Sequence, residues 1–80
     1  MTEEIRQIIA DHGRLSVDAT SLAPDTDLYL AGMTSHASVN VMIALEDTFD
    51  TEFLDSMLRR SVFESVDSIA VALGEIGVAV

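Results

Sequence analysis

Eighty residues carry fourteen acids against four bases, all arginine (Arg6, Arg14, Arg59 and Arg60), for a formal net charge of −10. A chain this acidic lacks the cations that displace counterions from nucleic acid or hold a protein to an anionic lipid surface, so both partner classes are excluded. Without cysteine it has no disulfide and no thiolate metal site, so core burial must hold one small domain over residues 1–80, at about 4–12 kcal/mol.

Thr2 is placed to cap a first helix, with Glu3 and Glu4 at its positive end and Ile5, Ile8, Ile9 and His12 on one face. The start has neither the basic stretch nor the long apolar run of a signal peptide, and no segment is long enough to cross a bilayer; a cytoplasmic protein is expected. Gly13 marks the helix end. A long connection follows from Arg14 to Met33, with turn formers at Ser16, Asp18, Thr20 and Ser21 and a bend at Pro24-Asp25-Thr26-Asp27. Leu15, Val17, Leu22, Leu28 and Leu30 are too many apolar residues for a free linker, so the connection should wrap across the helices.

The spacing predicts a second helix from Ser35 to Asp47, with Val41, Leu45 and Phe49 as an apolar stripe joined by Met42, and Val39 and Ile43 toward its edge. A short helix is predicted over Asp55 to Arg60, capped by Asp55, with Met57 and Leu58 inward. Ser65 should cap a last helix bearing Val66, Ile69, Ala70 and Leu73. Gly74 and Gly77 are expected to end it, leaving Val78-Ala79-Val80 as a loose tail. No strand-period alternation persists. The predicted fold is all-α: three main helices, one short helix and a long first loop.

Ser35 is the candidate functional residue. It stands at the second helix's first turn after Gly32, with no catalytic apparatus beside it, as a hydroxyl presented to another enzyme would. The plainer role of serine there is an N-cap, which Thr34 or Ser38 could share. A nucleophile elbow would want a glycine two residues on, and a helical chain this short has little room for a triad. Asp25-Thr26-Asp27 opens like a calcium loop but lacks its third acid, glycine and closing glutamate, and His12 and His36 have no clustered partners, so no metal is expected.

Ser35 lies fourteen residues before Phe49, in a helix closing Leu45-Glu46-Asp47-Thr48-Phe49-Asp50, and this pattern resembles the acyl carrier protein family over nearly the whole chain. The resemblance implies a four-helix carrier bundle, monomeric and not an enzyme. It also implies that a phosphopantetheinyl transferase moves 4′-phosphopantetheine from coenzyme A onto Ser35. The arm would hold an acyl or aminoacyl group as a thioester, received from an acyl- or amino acid-activating ligase and delivered to a downstream acceptor enzyme. A helix N-terminus suits the phosphodiester anion.

The family's Asp-Ser-Leu reads Thr34-Ser35-His36 here, and Asn40 stands where many members have an acid. Docking acids are thus reduced to Glu46, Asp47 and Asp50. His36 is either a plain surface residue or a contact tuned to a dedicated partner; Val39 and Ile43 are either the apolar centre of a docking face or ordinary core edge. The departures point away from housekeeping fatty-acid synthesis. With Ser56-Met57-Leu58-Arg59-Arg60, the chain is similar to stand-alone carriers loaded with an amino acid by ligases that resemble aminoacyl-tRNA synthetases. The alternative is an unmodified acidic helical adaptor that binds a basic partner through its second helix.

Overall fold

The computed structural model describes residues 2–78 and is all-helical among them. Helix α1 spans Thr2–His12, α2 Ser35–Phe49, α3 Arg60–Phe63 and α4 Val66–Glu75, with 3-10 turns at Ala19–Ser21 and Asp55–Met57. None is long and apolar enough to cross a membrane. Helix α1 lies against both α2 and α4, and α3 packs on α4. The core between them buries Ile5, Ile9, Leu28, Val41, Leu45, Val66, Ile69 and Leu73 completely.

Each main helix turns its apolar stripe to that core, which accounts for the helices that periodicity predicts. The long connection is fixed at several points. Ser16 donates its N–H and its hydroxyl to the Ala31 carbonyl (3.0 and 2.9 Å), and the Arg6 guanidinium donates to the Leu22 carbonyl. At the far side the Leu28 N–H donates to the Glu64 carbonyl (2.7 Å) and the Asp67 N–H to the Pro24 carbonyl (2.9 Å). Leu28 is buried and Leu15 and Leu22 partly so, but Val17 and Leu30 project into solvent.

Other expectations need correction. His12 is exposed, because α1 turns only its isoleucines to the core. Helix α2 runs on to Phe49, where Asp50 turns left-handed (φ 51°) and its N–H donates to the Glu46 carbonyl; Phe49 itself is only half-buried. The predicted helix over Asp55–Arg60 is instead a 3-10 turn whose N-cap is Leu54, without a side-chain cap, followed by α3. Leu58 lies between the two and is exposed. Phe53 and Phe63, absent from the predicted stripes, close the core with ring centroids 5.2 Å apart and planes at 69°. Ser65 does cap α4, in a reciprocal box with Ser68. Helix α4 continues through Gly74 to Glu75. Val78 is half-buried and its N–H donates to the Leu73 carbonyl, while Ala79 and Val80 of the expected tail lie outside the described residues.

Candidate functional site

The approach to α2 is a tight turn set by Asp27. One oxygen of its carboxylate accepts the N–H groups of Tyr29 (2.9 Å) and Leu30 (3.2 Å), and its carbonyl accepts that of Ala31. Gly32 follows with φ 116°, a backbone that only glycine adopts without strain, and an added Cβ would lie 3.0 Å from the Ser16 nitrogen. Thr34 is the N-cap: its hydroxyl oxygen accepts the Ala37 N–H at 3.0 Å. Ser35 is therefore the first helical residue and not the cap. Its side chain is exposed and makes no hydrogen bond among the described residues, while its carbonyl accepts the Ser38 hydroxyl at 2.7 Å.

Ser35 opens onto a cleft of about 340 Å³ between α2 and the segment through α3. Val39, Met42, Leu58 and Phe63 give it an apolar wall, and Tyr29, Arg59 and Arg60 stand beside them. The Arg60 guanidinium carbon sits 4.0 Å from the centroid of the Tyr29 ring, a cation–π contact. Arg59 donates from Nε to the Ser56 carbonyl.

The predicted docking residues divide between the two ends of α2. Val39, 48% exposed, shares the cleft with Ser35. Ile43, 54% exposed, lies with Glu46 and Asp47 around a second concavity completed by Asp50, Thr51 and Glu52. His36 is exposed and lines neither. Glu46 has a fold role that its position in the sequence did not reveal: half-buried, it accepts the Phe53 N–H on Oε2 at 2.9 Å, tying α2 to the next segment. Asp47 is exposed. Four carboxylates thus gather at the negative end of α2, where the helix dipole disfavours them.

The arrangement fits a covalently attached phosphodiester. The acceptor hydroxyl is free, the first turn of α2 offers amides that no earlier carbonyl can satisfy, and no carboxylate is among the described residues lining the cleft. Tyr29 and Arg60 escape sequence reasoning because neither belongs to a periodic stripe; the Asp27 turn and the start of α3 bring them together.

Comparison with known proteins agrees. Residues 3–71 match the family model described as Phosphopantetheine attachment site. An aminoacyl carrier protein of Agrobacterium fabrum is 42% identical over 69 residues, 86% of this chain and 83% of that protein. The fold is similar to that of a chain in the crystal structure of an engineered Bradyrhizobium japonicum glycine:[carrier protein] ligase complexed with carrier protein from Agrobacterium tumefaciens and AMP. The TM-score is 0.90 at 39% identity, covering 92% of this chain and 99% of that one. A solution structure from Agrobacterium tumefaciens superposes with a TM-score of 0.75 at 39% identity, covering 95% and 92%. The family match spans most of the chain and the relatives align along nearly their whole length: the chain belongs to the carrier-protein family defined by its phosphopantetheine attachment site.

Proposed function

We propose that Ser35 carries the 4′-phosphopantetheine group, that the cargo is an aminoacyl group, and that the carrier is loaded by an amino acid-activating ligase. The observation that carries this reading is the Ser35 hydroxyl, exposed and unbonded on the first turn of α2 because Thr34 performs the capping. When bound, the arm supplies the thiol that holds the cargo as a thioester, a nucleophile this cysteine-free chain lacks. The chain's own residues present the attachment oxygen, stabilise the adjacent anion with the α2 amides and offer surfaces to partners. The aminoacyl assignment draws on the relative named as an aminoacyl carrier protein and on the carrier found with a glycine:[carrier protein] ligase.

In this reading residues 1–80 form one monomeric domain that works in the cytoplasm and catalyses nothing itself. The Ser35 hydroxyl has no hydrogen-bond partner among the described residues to act as its base. Val39 gives a ligase apolar contact beside Ser35, Ile43 gives it a second one farther along α2 next to Glu46 and Asp47, and exposed His36 adds a polar contact next to Ser35 in the chain. Asp47, with the outer oxygen of Glu46, attracts basic side chains of the partner.

Intact-mass measurement after incubation with coenzyme A and a broad-specificity phosphopantetheinyl transferase tests the attachment, with Ser35→Ala in parallel. One added phosphopantetheinyl group on the wild type alone is expected. A further glycyl increment with a glycine:[carrier protein] ligase, glycine and ATP supports the aminoacyl cargo. An unmodified wild type beside a modified control carrier would favour the acidic adaptor.

A further inference from the structure

The distribution of charge around the cleft is the opposite of that over the whole chain. Fourteen acids outnumber four arginines overall, yet two of those arginines line the cleft that contains Ser35, and none of its described lining residues is acidic. Among the described residues Arg60 has no carboxylate partner, and its guanidinium lies over the face of Tyr29. Arg59 spends one donor, Nε, on the Ser56 carbonyl, which anchors its stem, and its outer guanidinium nitrogens have no partner among the described residues. With acids so plentiful elsewhere, two cations that have no carboxylate partner among the described residues, kept beside the Ser35 hydroxyl, are complementary to an anion arriving at that serine.

We infer that Arg60, supported by Arg59, is the counter-ion of the phosphodiester on Ser35, and that attachment of the group draws Arg60 from the face of Tyr29 onto the phosphate oxygens. This rests on Ser35 as the attachment residue. A guanidinium is suited to the exchange because its planar donor fork matches two phosphate oxygens, whereas a cation–π contact to an accessible ring is weak and readily given up. The pairing holds the root of the arm against α3 and leaves its distal thiol free to reach partner enzymes. The cleft thereby acts as an anchor for the phosphodiester and not as a pocket for the cargo.

Tyr29 is the only tyrosine, so its ring-proton pair is assigned without a second tyrosine to confuse it. The test compares Tyr29 ring-proton and Arg60 Nε–Hε NMR signals in the unmodified protein, the modified protein, and modified Arg60→Gln and Arg60→Lys, each verified by intact mass. Attachment should shift the Tyr29 signals of the wild type toward those of Arg60→Gln and move the Arg60 Nε–Hε signal. The phosphorus resonance should change with added salt in the wild type and Arg60→Lys, and stay flat in Arg60→Gln. Tyr29 and Arg60 signals unaltered by a mass-verified attachment would overturn the inference while leaving Ser35 as the attachment site. The same shifts in Ser35→Ala mixed with free coenzyme A would overturn it differently, revealing a general phosphate site. Failure of any attachment would remove the proposed function and this inference with it.

Discussion

Glu46 offers the sharpest contrast between a docking residue and a fold residue, because it occupies both descriptions. Its Oε2 accepts the Phe53 N–H at 2.9 Å, and Phe53 is one of the two rings that close the core. Replacing Glu46 with alanine leaves that amide without its acceptor in a partly buried position. Hydrogen bonds to charged groups contribute roughly 1.5–3 kcal/mol; allowing for half-exposure of Glu46, the loss should be about 1–2 kcal/mol. At roughly 6 °C per kcal/mol for a domain of this size, Tm should fall by about 6–12 °C. Glu46→Gln keeps an acceptor oxygen and should lose less, and Asp47→Ala, an exposed neighbour, should stay within about 0.5 kcal/mol of the wild type. Thermal unfolding followed by circular dichroism reads all three. Equal Tm values for Glu46→Ala and Asp47→Ala would refute the tie. With the ordering observed, slowed ligase association in Asp47→Lys could be read as docking, whereas Glu46→Lys would mix docking with fold damage.

The capping assignment separates chemistry from stability. Thr34→Ala should cost about 0.5–2 kcal/mol, while Ser35→Ala should abolish modification and change stability by less than about 0.5 kcal/mol; the larger loss at Ser35 would place the cap there. In the core, Leu45→Ala should cost about 2–5 kcal/mol by denaturant unfolding, and half-buried Phe49→Ala about 2 kcal/mol. A larger loss at Phe49 would contradict its partial exposure. The hydroxyl and N–H of Thr20 both donate to the Asp18 carboxylate and hold its pKa below the usual value. A depressed pKa makes the stabilisation present above the ordinary aspartate range and lost as pH falls through the lowered value. Amide signals of residues 19–21 should therefore loosen only at acid pH, and Asp18→Asn should flatten that dependence.

Helices were legible wherever an apolar stripe recurred, as at Ile5, Ile8 and Ile9 or at Val66, Ile69 and Leu73, because burial on one face writes itself into spacing. Over Asp55–Arg60 spacing is a poorer guide: Met57 is inward as expected, but Leu58 is exposed and the helix is a 3-10 turn. Phe53 and Met57 stand at helical spacing, but the next fully inward apolar residue is Phe63, with Leu54 and Leu58 exposed, so no single helical stripe joins the buried residues. The exposed position of Ser35 on the first turn of α2 is legible from its place before a patterned helix. Its freedom from capping was not, since Thr34 and Ser35 are equally good caps on paper and only the backbone shows which hydroxyl faces the Ala37 amide. Glu46 looked like one more surface acid because its partner is a main-chain group seven residues away.

The paired bonds from Leu28 to Glu64 and from Asp67 to Pro24 are made wholly of main-chain atoms. A clasp of that kind has no side-chain spelling. The outward-facing identities around it are free to drift while the long connection stays fastened to the α3–α4 corner, and most substitutions there should pass unnoticed. Proline at 28 or 67 is the exception, since it alone deletes the donor. Tolerance at exposed Asp67 would therefore be broad in chemistry and narrow in a single respect, whereas Leu28 answers to the core as well.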